Sequence, residues 1–162
     1  TVEECLADYE GWHEDVHTLI RNIDTPYKWA LMLRQPMERW SVGRVTLLGD
    51  ACHPTLPFLA QGAVMAIEDG FVLARALAAH RDSYASAFAS YEAARNDRTT
   101  RIVRGAESNL QRFHNPALAD PALAEAYVNS EWEEAKIRQR YEWLFTYDAT
   151  SVPVSAAHAG AA

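Results

Sequence analysis

The sequence predicts an α+β chain, predominantly helical with a few strands, and three observations carry that prediction. Apolar residues recur at helical spacing over most of the length. Strand-like apolar runs are confined to two short segments, and 49% hydrophobic residues among 162 are enough to build a core. Two isolated strands bury too little and leave both edges unpaired, so either helices cover them or their partner strands lie in polypeptide outside this sequence. The chain also begins at Thr1, without methionine, on what reads as the middle of a domain, and the expectation is therefore a fragment.

The elements follow in chain order. Residues 3–23, EECLADYEGWHEDVHTLIRNI, place apolar side chains at helical spacing and read as two short helices broken near Gly11. KWALMLR, 28–34, reads as a strand that ends before Pro36, and GRVTLLGD, 43–50, as a second one. The apolar run Val45–Leu48 in the latter suggests burial on both faces. A helix is expected from Gly62 to about His80, and a longer one over 83–114. In the longer helix Tyr84, Phe88, Tyr91, Arg95, Arg98 and Ile102 recur at alternating steps of four and three, so one face is aromatic first and basic later. NPALADP, 115–121, is a turn-rich break; EWEEAKIRQRYEWLF, 131–145, is a further helix. The end, 150–162 with its SAAHAGAA, is expected to be a disordered tail.

Charge and cysteine content narrow the function classes. Lys plus Arg total 15 against 22 for Asp plus Glu, a net charge of −7 with no basic block, which argues against nucleic acid as a partner. The two cysteines, Cys5 and Cys52, lie far apart, and no apolar run is long enough to span a bilayer. The sequence shows no signal peptide, so the expectation is a reduced, cytoplasmic protein without a membrane segment.

The chemistry concentrates in GRVTLLGDACHPTLPFLAQGAVMAIEDG, residues 43–70. A strand ending in Gly49-Asp50 puts a flexible backbone and a carboxylate at its C-terminal edge, where α/β proteins commonly seat nucleotide cofactors. Gln61-Gly62 then opens a helix whose first amides are unpaired and whose dipole favours negative charge. Strand, acid, proline-rich loop and helix start together suit a long ligand with hydroxyl groups and an anionic end. The competing reading is that Gly-Asp is a common turn and Gly62 only a helix start.

This run resembles the second flavin-binding signature of the aromatic-hydroxylase class of FAD-dependent monooxygenases, commonly GDAxHxxxPxxGQGxxxxxxD. Upstream, WALMLRQPMERWSVGRVTLLGDA is similar to that family's strand, Arg-x-Pro and Trp-x-x-Gly-Arg lead-in. Downstream, SYEAARNDRTTRIV resembles its Tyr-Glu, Arg-rich helix and YEWLFTYDAT its ending, so the likeness covers roughly Glu4 to Ala149. Within the family the spelling Ala60-Gln61-Gly62 looks most like the branch that hydroxylates 3-hydroxybenzoate para to its hydroxyl, with salicylate hydroxylases as the nearby alternative. The resemblance implies the C-terminal portion of an FAD/NAD(P)-binding, p-hydroxybenzoate-hydroxylase-like fold. On that footing 1–42 ends the substrate-domain portion, 43–80 is the FAD-binding strand, loop and helix, and 81–149 holds the C-terminal helices.

Carried over residue by residue, the resemblance implies that Asp50 binds the ribityl hydroxyls of FAD, with Gly49 letting the backbone approach. Ala51 would contact the cofactor near its pyrophosphate. Pro57 would lie beside the ring system and the substrate. Gln61, Gly62 and Ala63 would line the helix start near the pyrimidine edge of the isoalloxazine, and Gln61 would also face the aromatic substrate. Gln61 and Pro57 are thus the catalytic candidates. Ala60 stands where the family commonly has glycine, which reaches positive φ without the cost an alanine incurs.

The family's N-terminal GxGxxG fingerprint, its adenosine-ribose acid and its middle Asp-Gly motif have no counterpart in these residues. The chain is therefore expected to be less than half of an enzyme that reduces FAD with NAD(P)H and transfers one oxygen of O2 to an activated phenol. Alone it is expected to be inactive, not to retain FAD, and to self-associate through uncovered strand edges and apolar faces; its partners would be an aromatic acid substrate and the missing N-terminal half. The alternative class is a flavoprotein-derived helical binding or assembly module without catalysis.

Three further patterns weigh less. HEDVH, 13–17, matches HExxH, but a zinc site needs a third ligand, and Glu38 lies beyond Pro26 and Pro36, so no metal is expected. His53 is expected to make a structural hydrogen bond and Cys52 to pack. Arg95, Arg98 and Arg101 could form an anion site, and are expected instead to pair with acids at the surface.

Overall fold

Thr1 and Glu4 form a reciprocal capping box that opens α1 (Val2–Asp8) in the computed structural model, which describes residues 1–154. The chain turns through Gly11, at φ +81°, and re-enters helix as α2 (Glu14–Arg21). Acids in the first turn of α2 and Arg21 in its last complement the helix dipole. Residues Thr1–Leu31 form one unit, in which α2 buries Ile20. The break near Gly11 is where the sequence puts it. The strand expected over 28–34 is not formed: among the described residues that segment has no ladder partner, and a strand exists only where a neighbour shares its hydrogen bonds.

The second unit begins at Met32. The strand expected over 43–50 is reduced to a small hairpin, β1 (Ser41–Val42) against β2 (Val45–Thr46), in antiparallel register Ser41↔Thr46 and Val42↔Val45. Gly43 takes φ +60° at the tight turn between them, and the Leu47 amide donates to the Trp40 carbonyl just beyond the ladder. Val45 and Leu48 are exposed, against the expectation of burial on both faces over Val45–Leu48, and so is Val42 across the ladder, because the hairpin is covered on one side only.

Two long helices carry the core. α3 (Gly62–Ala79) buries Met65, Asp69, Val72 and Ala76, a stripe at steps of four, three and four. Ser83 caps α4 (Tyr84–Phe113) by accepting from the Ser86 amide, and the helix returns along α3. The aromatic-then-basic face of α4 is its buried face: Phe88, Tyr91, Arg95, Arg98 and Ile102 are covered, and Tyr84 alone of the six is exposed. One apolar cluster joins Trp40, Cys52, Val72, Ala76, Tyr91 and Val154; another joins Met65, Ile102 and Leu144.

After α4 the expected break contains a short 3-10 turn, Pro116–Ala119, followed by a helix that the sequence expectation lacks, α5 (Pro121–Glu131). Its start was marked: the Asp120 carboxylate accepts from the Ala122 amide at 2.8 Å and proline occupies the first helical position. α6 (Glu134–Phe145) follows and buries Leu144. Within the expected tail, residues 150–154 are held: Arg75 donates to the carbonyls of Ala149 and Val152, His80 Nε2 to that of Val154, and Val154 is buried. Residues 155–162 lie outside the described residues.

Candidate functional site

The site is built on the turn after β2. Gly49 is buried at φ +60°, and a Cβ placed there would come within 3.2 Å of the Ala66 Cβ, so only glycine fits without displacing α3. Its carbonyl accepts from the amides of Cys52 and His53, closing a 3-10 turn over Gly49–Ala51. That turn leaves Asp50 and Ala51 on the outside. The Ala51 carbonyl accepts from Arg34 Nη2 at 2.7 Å, which ties the Arg-x-Pro lead-in to the loop.

A second turn, Pro57–Leu59, ends in Ala60 at φ +51°, ψ +36°. An L-residue thus adopts the left-handed conformation for which glycine is the usual choice, at a cost of roughly 1–2 kcal/mol. The next residue, Gln61, caps α3 through its backbone, its carbonyl accepting from the Met65 amide, and its side chain makes no capping bond. The amides of Gly62 and Ala63 consequently open the helix with no carbonyl one turn back to pair with.

Between turn and helix start lies a cavity of about 470 Å³ lined by Asp50, Thr55, Pro57, Ala60, Gly62, Ala63 and Ala66. Four of the residues singled out in the sequence, Asp50, Pro57, Gly62 and Ala63, therefore share one surface. Gly49 lies beneath it, while Ala51 and Gln61 flank it without lining it. An exposed carboxylate facing the positive end of an eighteen-residue helix suits a ligand with hydroxyls at one point and negative charge at another.

The floor of the site is ionic. Asp69, fully buried, accepts through Oδ2 from the Gly49 amide at 2.9 Å and from His53 Nε2 at 2.6 Å, and through Oδ1 from Arg95 Nε at 2.7 Å. Burial by itself pushes the carboxyl pKa upward, but the donors from His53, Gly49 and Arg95 outweigh it and hold the group below its ordinary value. Arg95 continues the network to the Tyr147 hydroxyl at 2.8 Å and to Glu68 at 2.7 Å. Arg98 grips both Glu68 oxygens at 2.8 Å and lies 3.8 Å over the Tyr147 ring.

Asp69 closes the signature pattern, yet nothing in its spacing singled it out as the hub; what marks it is burial, which only the fold displays. Arg95 and Arg98 do pair with acids, as expected, but in the interior and not at the surface. Arg101 is exposed and stacks 3.7 Å over the Trp143 ring.

Cys52, His53 and Asp69 bring possible metal-ligating atoms within 4.8 Å of one another. Their chemistry does not suit a cation. Burial, with the Asp69 charge second, pushes the Cys52 thiol up to about 12, so it stays protonated and donates to the Gly49 carbonyl, while the carboxylate is already matched by Arg95. His53 makes the structural hydrogen bond expected of it, with Nε2 carrying the hydrogen toward Asp69; Nδ1 is buried without a partner. In HEDVH, His13 Nδ1 accepts from the Asp15 amide as the α2 cap, and His17 Nε2 donates to the Tyr9 carbonyl at 2.8 Å. Both imidazoles serve helix ends, His13 at the start of α2 and His17 at the C-cap residue of α1.

Known proteins share this sequence and fold. A family model described as an FAD binding domain matches residues 8–106. The chain is 39% identical over 155 residues to a 6-hydroxynicotinate 3-monooxygenase of Pseudomonas fluorescens, covering 94% of this chain and 34% of that protein. It is 35% identical over 150 residues to a 3-hydroxybenzoate 6-hydroxylase of Polaromonas naphthalenivorans, covering 90% of this chain and 36% of the relative. The crystal structure of Klebsiella pneumoniae HpxO complexed with FAD and uric acid superimposes with a TM-score of 0.71 at 32% identity, covering 95% of this chain and 40% of that one. The chain thus spans about a third of the length of the curated relatives it matches. Exposed acid, left-handed loop and helix start accordingly sit in a chain that belongs to the FAD binding domain family, that of the FAD-dependent aromatic monooxygenases.

Proposed function

We propose that this chain supplies the wall of an FAD site on which the ribityl chain, the pyrophosphate and the pyrimidine edge of the flavin rest. The enzyme it serves hydroxylates a hydroxy-substituted aromatic acid, of the hydroxybenzoate or hydroxynicotinate kind, with O2 and NAD(P)H. The observation that carries the reading is the single cavity joining Asp50, Pro57, Gly62 and Ala63 at the start of α3. Asp50 accepts from ribityl hydroxyls. Gly49, with no Cβ, and Ala51 bring backbone close to the cofactor, and the Gly62 and Ala63 amides favour negative charge at the helix start. Pro57 shapes the wall beside the ring, and Gln61 offers an amide to the ring edge and to the substrate. When bound, FAD supplies the redox chemistry; these residues hold and orient it.

The adenosine half of the cofactor and most of the substrate pocket belong to the remaining polypeptide, since the chain spans 34% of the first relative. The isolated chain is therefore inactive, loses FAD on purification, and self-associates through apolar side chains such as Ile67 and Phe145, which are 73% and 78% exposed. Among the described residues no helix is long and apolar enough to cross a membrane, and we place the enzyme in the cytoplasm. The test is a titration of FAD against the 162-residue chain and against a full-length protein containing it. Flavin bound stoichiometrically only by the full-length protein, with substrate-dependent NAD(P)H oxidation, is the expected result. A yellow, stoichiometric isolated chain overturns the division of the site, and a full-length protein indifferent to FAD overturns the function.

A further inference from the structure

Asp50 lies in a short 3-10 turn whose hydrogen bonds converge on Gly49. Its backbone is clamped at Gly49 from both ends: the carbonyl by the Cys52 and His53 amides, and the amide by Asp69, which reaches up from α3. Gly49 sits at φ +60° against Ala66, a conformation that a chain leaving a strand does not adopt by default. The acceptor that draws the Gly49 amide inward is itself fixed by two further donors, His53 Nε2 on the same oxygen and Arg95 Nε on the other. Arg95 is in turn anchored by Tyr147 and Glu68.

We propose that Asp69 is a positioning residue for the cofactor loop: held by His53 and Arg95, it fixes the Gly49 amide and through it the direction in which Asp50 presents its carboxylate. The proposal rests on the FAD reading above. Asp69 never touches the ligand, being fully buried, and acts only through the turn. Its carboxylate differs in this from a generic buried ion pair, because one of its three donors is the backbone of the binding loop itself. Loss of the carboxylate frees the turn to rotate, and an Asp50 out of line forfeits most of a charge-assisted bond to a ribityl hydroxyl, about tenfold in affinity.

The experiment measures FAD dissociation constants, the bound-flavin visible spectrum and thermal midpoints of a full-length protein containing this chain. Asp69→Asn is expected to weaken FAD binding about tenfold and to shift the bound-flavin spectrum. Ile102→Ala, a cavity in the Met65 and Leu144 cluster, is expected to lower the thermal midpoint at least as far while leaving FAD affinity unchanged. A merely structural Asp69 would make the two variants alike. His53→Ala is expected to weaken FAD binding severalfold, and His53→Gln, whose amide nitrogen can donate where Nε2 does, to restore it; this pair decides the matter if Asp69→Asn does not fold. Wild-type affinity in Asp69→Asn, or in His53→Ala, overturns the positioning role. Full affinity in Asp50→Ala instead overturns the assignment of Asp50 on which both readings depend.

Discussion

The two faces of the segment from Gly49 to Asp69 are built on opposite principles. On the outer face Asp50 is exposed beside a cavity, and the first amides of α3 open toward the same space. On the inner face Asp69 has no exposed surface and each of its oxygens is matched by a donor. An acid exposed beside a helix start can be matched by a ligand, whereas a buried one must be matched by its own protein, since burial of an unpaired carboxylate is very costly. In the proposed site the two aspartates of one motif divide the work: Asp50 would meet the ligand, and Asp69 would shape the loop that presents it.

The contrast breaks most visibly at Asp69. Asp69→Ala takes one of two carboxylate partners from the buried Arg95, leaving Glu68, and strips the Gly49 amide and His53 Nε2 of their acceptor; it is expected to destabilise the fold by about 3–5 kcal/mol, read from urea unfolding. A loss under about 1 kcal/mol would mean that the inner network is replaceable by water. Asp50→Ala should do the reverse. Fold stability is expected to stay within about 0.5 kcal/mol of the parent, while FAD affinity in the full-length protein falls about ten- to a hundredfold. Gln61→Ala in the same protein should keep FAD but lower the ratio of hydroxylated product to NAD(P)H oxidised, with the difference appearing as hydrogen peroxide.

Acid titration sharpens the comparison further. The folded-state value of Asp69 lies below its ordinary 3.8, so the stability it contributes is complete above that value and is lost as pH falls through the folded one. The stability gap between the parent and Asp69→Asn should therefore be constant near neutral pH and narrow progressively below about pH 4, followed by chemical unfolding at each pH. A gap that widens on acidification would contradict the assigned direction. The smallest effect is expected at Ala60. Ala60→Gly relieves the left-handed strain of roughly 1–2 kcal/mol but enlarges the unfolded ensemble by about 0.4–1 kcal/mol. A net gain on the order of 0.5 kcal/mol should appear as a slightly higher thermal midpoint.

Much of the helical scaffold was legible from the chain. The bounds of α3 and α4 follow from apolar periodicity and from the Ser83 cap, and the break at Gly11 from a residue that tolerates positive φ. The sequence expectation lacks α5 although Asp120 and Pro121 mark its start, because turn-forming residues signal a loop and a helix cap alike. The expected strand over 28–34 and the full length of the one over 43–50 were not formed, because strand structure depends on a partner, and apolar alternation says nothing about whether that partner is at hand.

What the sequence determined by itself is whatever is local: helix stripes, caps, the glycine that a φ of +60° requires at position 49, and the spacing that sets an acid before a proline loop and a helix start. Only the tertiary structure decided which of the charged residues would be interior. Arg95 and Arg98 share a helix face with Phe88 and Ile102, and sequence alone assigns them to the surface because a lone buried cation is prohibitive. Burial became affordable once α3 brought Glu68 and Asp69 against that face and the Tyr147 ring lay over Arg98. That is a pairing between residues remote in the chain, and it is physically invisible until two helices pack.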